Sequence, residues 1–143
     1  MKKMSQILCF SITLMLVCVV ICACNKSESN VSLWENAIYN EDTELGTGEK
    51  TIALEVVAEE RSVTFTINTN SKTLGEALVE NNLIQGENGA YGMYVKSVNG
   101  ITADYDVNQS FWSLCKNGES AQTGVDGVEI FDGEHYELIY TKN

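Results

Sequence analysis

Three groups of residues are of types that could do chemistry. The first is aromatic and soft. Tyr91, Met93, Tyr94, Phe111 and Trp112 offer rigid, polarizable walls with a few hydrogen-bonding tips, which a flat and largely apolar ligand needs. Core packing uses the same residue types. Strand alternation would set Phe111 and Trp112 on opposite faces, so at least one of them belongs to the core. The second group is acidic. Asp104, Asp106 and Asn108 have the one, three, five spacing that opens a calcium loop. Gln109 stands where that loop needs its turn glycine, and Cys115 stands where it needs a bidentate Glu, so an EF-hand is excluded. What remains is a looser Ca2+ site of Asp104, Asp106, Asn108 and loop carbonyls, or a solvated acidic loop. The third group is Cys115 with His135, the one nucleophile and base pair on offer. Parity puts Cys115 with Phe111 and Ser113, and His135 with Glu137 on what reads as a wet face. A lone buried Cys behaves as a small hydrophobe. One His and one usable Cys argue against a transition-metal site. No Ser-centred elbow, phosphate loop or dinucleotide fingerprint is present, so the chain reads as a binding protein and not as an enzyme.

The N-terminus decides where such a protein would work. Lys2 and Lys3 give a basic start, and Ile7 to Ile21 is an almost unbroken apolar run. This is the layout of a signal peptide. The run is short for a membrane span, which needs about 20 apolar residues. The four residues Ile21-Cys22-Ala23-Cys24 resemble a lipobox, with small Ala23 before the cut and Cys24 as the lipidated residue. The expectation is a signal segment at 1–23, and a lipid anchor at Cys24 holding the chain on the extracytoplasmic face of the cell membrane. An uncleaved membrane helix is the alternative, and it leaves the domain on the same side. Cleavage discards Cys9, Cys18 and Cys22, and lipid consumes Cys24, so Cys115 is left without an intramolecular disulfide partner. Two of the 9 Lys and Arg precede the cut, which leaves seven against 20 Asp and Glu, a net charge of −13. That balance repels phosphate backbones and anionic headgroups, which argues against nucleic acid as a partner and holds the domain off the lipid surface.

Residues 24–50 are polar and acidic and read as a flexible tether. Leu33-Trp34 and Ile38-Tyr39 are its only apolar pairs. The domain is expected over 51–143, which is roughly 90 residues and enough for one core. In Thr51–Ala58, Ile52, Leu54 and Val56 share a face. In Ser62–Asn68, Val63, Phe65 and Ile67 do the same, with a short Glu59-Glu60-Arg61 turn between the two runs. A helix follows. Thr73 (or Ser71) caps it, Glu76 completes a capping box, and Leu74, Ala77 and Leu78 form its apolar face. Asn81-Asn82 ends it. Gln85–Gly92 holds three glycines and no β-branched residue, and reads as a loop with its tip at Ala90-Tyr91-Gly92. Strands are expected at Met93–Val98, Phe111–Lys116 and Glu134–Thr141, with turns at Asn99-Gly100, Asn117-Gly118 and Asp132-Gly133. The order ββα followed by three or four strands predicts an α+β, β-grasp-like domain, with one mixed sheet packed on one helix.

The run from Thr73-Leu74-Gly75-Glu76-Ala77-Leu78, through Tyr91-Gly92-Met93-Tyr94 and Val98-Asn99-Gly100, to Phe111-Trp112 and Asn117-Gly118-Glu119 carries a resemblance. Thr123-Gly124-Val125 and Asp132-Gly133-Glu134 extend it. The order and spacing of these motifs resemble the DUF4430 family, which is similar to the C-terminal β-grasp domain of the transcobalamin and intrinsic-factor cobalamin carriers. The resemblance implies a small-ligand surface, with cobalamin or a related corrinoid as its occupant. It puts Tyr91, Met93, Tyr94, Phe111, Trp112, Thr123, Gly124 and Val125 near the ligand edge. The carriers close this domain over the ligand against a large helical barrel. This sequence contains no such barrel, so affinity would be modest unless a partner supplies the other wall, as in an uptake complex at the cell surface. Divalent-cation binding at the acidic loop and a protein–protein role remain the other two expectations.

Overall fold

The computed structural model describes residues 31–143, and the signal segment and Cys24 lie outside the described residues. The first element among the described residues is a single 3₁₀ turn, Leu33–Asn36, capped by Ser32. Strand β1 is Thr43–Gly46, β2 is Lys50–Ala58 and β3 is Arg61–Thr69. In β2 the buried residues are Ile52, Leu54, Val56 and Ala58. In β3 they are Val63, Phe65, Ile67 and Thr69, so the period-two pattern is also the pattern of burial. Helix α1 is Leu74–Glu80. Thr73 accepts the Glu76 N–H, and Glu76 reaches back to the cap N–H, so the capping box is complete. Leu74, Ala77 and Leu78 are fully buried.

Strand β4 (Ile84–Gly89) and β5 (Gly92–Val98) form a hairpin, and β6 (Ile101–Thr102) adds a third short strand. A four-residue helix, α2 (Tyr105–Asn108), leads into β7 (Ser110–Lys116) and β8 (Glu119–Ser120). A 3₁₀ turn at Val125–Gly127 and the final strand β9 (His135–Lys142) complete the fold. The large sheet has the order β1-β3-β2-β9-β7-β8. It is mixed, because β1 runs parallel to β3 and β2 runs parallel to β9, while the other neighbours are antiparallel. Its inner face, α1 and the small sheet enclose the core. Asn99-Gly100 and Asn117-Gly118 both hold positive φ at two consecutive residues (49° and 80°; 53° and 79°), the conformation a two-residue hairpin turn demands. Among the described residues no helix is long and apolar enough to cross a membrane.

The fold is α+β and β-grasp-like, as the element order predicts, with three differences in detail. The expected single sheet is two sheets. The residues β4–β6 cannot continue the large sheet because they bend over its inner face. Gln85–Gly92, expected as a loop, is most of a hairpin. Its strand passes the glycines by shifting register between Gln85 and Gly86, and only Ala90-Tyr91 forms the turn. Residues 32–50, expected as tether, are folded onto the domain. Trp34 is 4% exposed, and its Nε1–H donates to the Ala58 carbonyl at 2.9 Å. The Arg61 guanidinium lies 4.6 Å above the Trp34 ring. Asn99, fully buried, accepts the Tyr39 N–H at 2.9 Å and donates to the Tyr39 carbonyl at 2.8 Å. The two apolar pairs in that polar stretch are therefore docking points. Residues Ser32–Asn143 form one compact unit.

Candidate functional site

Four pieces of chain meet over the inner face of β7. Strand β7 points Ser110, Trp112, Leu114 and Lys116 inward, and β9 points Tyr136, Leu138 and Tyr140 the same way, because Trp112 pairs with Tyr140, Leu114 with Leu138 and Lys116 with Tyr136. The β4–β5 hairpin forms one wall, and the stretch from 121 to 128 forms the other. Between them lies a cleft of about 120 Å³ lined by Met93, Tyr94, Val95, Trp112, Leu114 and Val125, with Gly124 and Leu138 completing it. Leu114 also lines a wider groove of about 530 Å³ that continues along β7 past Lys116 to Asn117. The two together make a trough along one strand.

The cleft is lined mainly by apolar side chains. Trp112 is 9% exposed, and its indole Nε1–H is buried without an acceptor among the described residues. The ring is held edge-to-face against Tyr140, with centroids 5.5 Å apart. A buried donor left unpaired costs about 1–3 kcal/mol, so the indole gains from any acceptor that reaches it once neighbouring side chains move aside.

The walls are fixed by Asp126. Its Oδ2 accepts the Met93 N–H at 2.8 Å. Its Oδ1 occupies the place where a Cβ on Gly75 would be, 2.1 Å away, so glycine at that position lets the carboxylate reach between α1 and β5. At the far end of the trough the floor is charged. Lys116 Nζ lies 2.5 Å from Glu134 Oε1, and the buried Tyr136 hydroxyl donates to Glu134 Oε2. Partial burial alone would raise the Glu134 carboxyl. The Lys116 ammonium, the Tyr136 hydroxyl and the Phe131 N–H outweigh burial and hold the carboxyl below its ordinary value. Burial and the neighbouring Glu134 push the Tyr136 phenol well above its ordinary value.

Of the eight residues expected at a ligand edge, Met93, Tyr94, Trp112, Gly124 and Val125 come together in the cleft, and Thr123 lines the adjoining groove. Tyr91 is fully exposed on the hairpin tip. Phe111 lies on the opposite face of β7, tilted against Tyr105 with centroids 6.5 Å apart. Asp104, Asp106 and Asn108 lie within one helical turn. Asp104 Oδ1 accepts the N–H groups of Asp106 and Val107, and Asn108 Oδ1 accepts the Ser110 N–H, so two of the three side chains serve their own backbone. Cys115 and His135 both lie on the outer face of the large sheet. Cys115 is half-buried and pairs in register with Glu137, and no hydrogen bond joins it to His135. Asp126 and Gly75 escape sequence reasoning because neither has a local pattern, and they are brought together only by the fold.

A family model described as "Domain of unknown function (DUF4430)" matches residues 71–142. Among solved structures, the chain is similar to "a putative metal binding protein" from Ruminococcus gnavus ATCC 29149, with 35% identity, a TM-score of 0.64, and coverage of 66% of this chain and 99% of that one. It is also similar to haptocorrin in complex with Cbi, with a TM-score of 0.55, 17% identity, and coverage of 68% of this chain and 26% of that one. The second likeness shows the fold alone, and this chain corresponds to about a quarter of the haptocorrin chain. No curated protein matches. With half of its length under the family model and a relative at 35% identity, the chain belongs to the DUF4430 family.

Proposed function

We propose that this protein is a lipid-anchored, extracytoplasmic binding module that holds a flat, partly apolar ligand of corrinoid type against β7. The observation that carries the reading is the unpaired, buried indole N–H of Trp112, a residue that lines a cleft together with Met93, Tyr94, Gly124 and Val125. A corrin rim suits that wall. Its apolar ring edge meets Met93 and Tyr94, and its amide side chains bring carbonyl acceptors for the indole. The trough covers one side of such a ligand, and pockets that hold drug-sized molecules bury most of their surface. Affinity for the isolated chain is therefore micromolar, and a protein partner in an uptake complex supplies the second wall. The likeness to haptocorrin supports the fold on which this reading rests. The reading includes no catalytic step.

The test is calorimetric titration of the full-length chain with cyanocobalamin and with hydroxocobalamin, beside the Trp112→Phe variant. Saturable binding that weakens about tenfold in the variant supports the reading, because a hydrogen bond to a buried donor is worth about 1.4 kcal/mol. No heat with either corrinoid at millimolar concentration removes it.

A metal ion is the second reading. The description of the Ruminococcus gnavus relative favours it. On this reading the acidic turn at Asp104, Asp106 and Asn108 was the expected Ca2+ site.

A further inference from the structure

The outer face of the large sheet carries a second constellation. On β9, His135 and Glu137 alternate with the core residues Tyr136 and Leu138, so both point away from the trough. Parallel pairing of β2 with β9 sets Glu55 directly beside Glu137. His135 Nε2 lies 3.8 Å from Glu55 Oε2, and its Nδ1 lies 3.8 Å from Glu137 Oε1. One donor atom from each residue falls within 4.8 Å of the other two. The three side chains are half-buried, at 38%, 32% and 22% exposure for His135, Glu55 and Glu137.

Two features make this more than a charged surface. Like charges set directly opposite on neighbouring strands are destabilising, and a sheet normally avoids them or places a base between them. Among the described residues neither carboxylate has a Lys or Arg within 4.0 Å, and His135 is the only basic group in reach. None of the three side chains makes a hydrogen bond to any other described residue, so their lone pairs are uncommitted, unlike those of Asp104 and Asn108.

We propose that Glu55, His135 and Glu137 form a site for one divalent transition ion of the Zn2+ class, open to solvent on one side. This deepens the metal-ion reading above and moves it from the acidic turn to the outer face of the sheet. Calcium takes six to eight oxygens, roughly, and three side chains including an imidazole cannot supply them. Imidazole with carboxylate suits zinc and its neighbours in the first transition row. Ligand bonds of about 2.0–2.2 Å require the donors to draw together by around an ångström, which rotation of half-exposed side chains provides. Water would complete the coordination on the exposed side.

The experiment is calorimetric titration of the chelator-stripped full-length chain with Zn2+, with Co2+ absorption as a spectroscopic reporter. The expected result is one saturable site per chain, weakened at least tenfold in His135→Ala and in Glu137→Gln, with the Co2+ visible bands lost in His135→Ala. Asp104→Asn with Asp106→Asn should bind as the parent does. Each variant's melting temperature in chelator reports its folding, and all three side chains lie on the outer face, away from the core. Zn2+ binding that is unchanged in His135→Ala but lost in the Asp104 and Asp106 variant overturns this site and leaves the metal-ion reading standing. Absence of saturable Zn2+ binding overturns this site, and a parallel Ca2+ titration then decides the acidic turn separately.

Discussion

Asp126 accepts the main-chain N–H of Met93 at 2.8 Å, and through that bond the 121–128 stretch holds the β4–β5 hairpin against the trough. The same carboxylate fills the space above Gly75, at the start of α1. One side chain thus bonds the hairpin to the loop and packs against the start of the helix.

Removing that tie should loosen the cleft without dismantling the core. Asp126→Ala is expected to cost about 1–2 kcal/mol in urea denaturation, a charged hydrogen bond at an exposed position. Gly75→Ala would gain up to about 1 kcal/mol in helix propensity but drives its Cβ into the carboxylate, so a net loss is expected. In the Asp126→Ala background the same change should turn neutral or stabilising. A double-mutant cycle reads the difference, and additive effects would show that the two residues do not touch.

Trp112→Phe separates binding from folding. It keeps an aromatic ring against Tyr140 and deletes the unpaired donor. Loss of ring volume and removal of the unsatisfied group act in opposite directions, so unliganded stability should stay within about 1 kcal/mol. Large destabilisation in thermal denaturation would mean that the indole N–H is paired in solution and is no ligand donor.

Residues 32–46 are part of the folded body. A chain beginning at Thr47 loses Trp34 and β1 and leaves Asn99 with its amide unpaired. A loss of about 3–5 kcal/mol is expected from the Trp34 burial alone. Asn99→Ala in the full chain should cost about 2 kcal/mol and raise amide exchange around Tyr39. An unchanged urea midpoint for the shortened chain would contradict this part of the account.

Acid stability follows from two depressed carboxyls. The Lys72 and Thr73 N–H groups hold Glu76 below its ordinary value, and Glu134 is held there by Lys116, Tyr136 and Phe131 against the effect of burial. A depressed folded value means that the stabilisation is fully present above the unfolded value and is lost as pH falls through the folded one. Stability should therefore decline below about pH 4.5, and Glu134→Gln should flatten that decline while costing about 1 kcal/mol at neutral pH. Parallel acid limbs for parent and variant would remove Glu134 from the explanation.

The fold was legible where local chemistry sufficed. Thr73 with Glu76 and the two Asn-Gly turns mark their own positions, and period-two burial located β2, β3 and β9. The hairpin at β4 was hidden because Gly86 and Gly89 carry no strand propensity. Its pairing is set by β5, so no local signal reports it. Trp34 was visible as an apolar residue in a polar stretch, but its dock on Ala58 is a contact between residues far apart in sequence. The site was legible in part. The aromatic residues and the Thr123-Gly124-Val125 run were named, while Tyr91 and Phe111 were drawn in by sequence proximity and lie elsewhere in space. His135 and Glu137 were correctly set on a wet face. That Glu55 joins them depends on a parallel pairing between the second strand and the last, which no periodicity encodes.

The central claim is that the trough along β7 takes a corrinoid with the Trp112 indole as donor. The most direct measurement is titration of the full-length chain and of Trp112→Phe with cyanocobalamin by calorimetry. The account predicts saturable micromolar binding to the parent and about tenfold weaker binding to a variant of matched stability. Equal affinities for the two, or no heat from the parent, would contradict it.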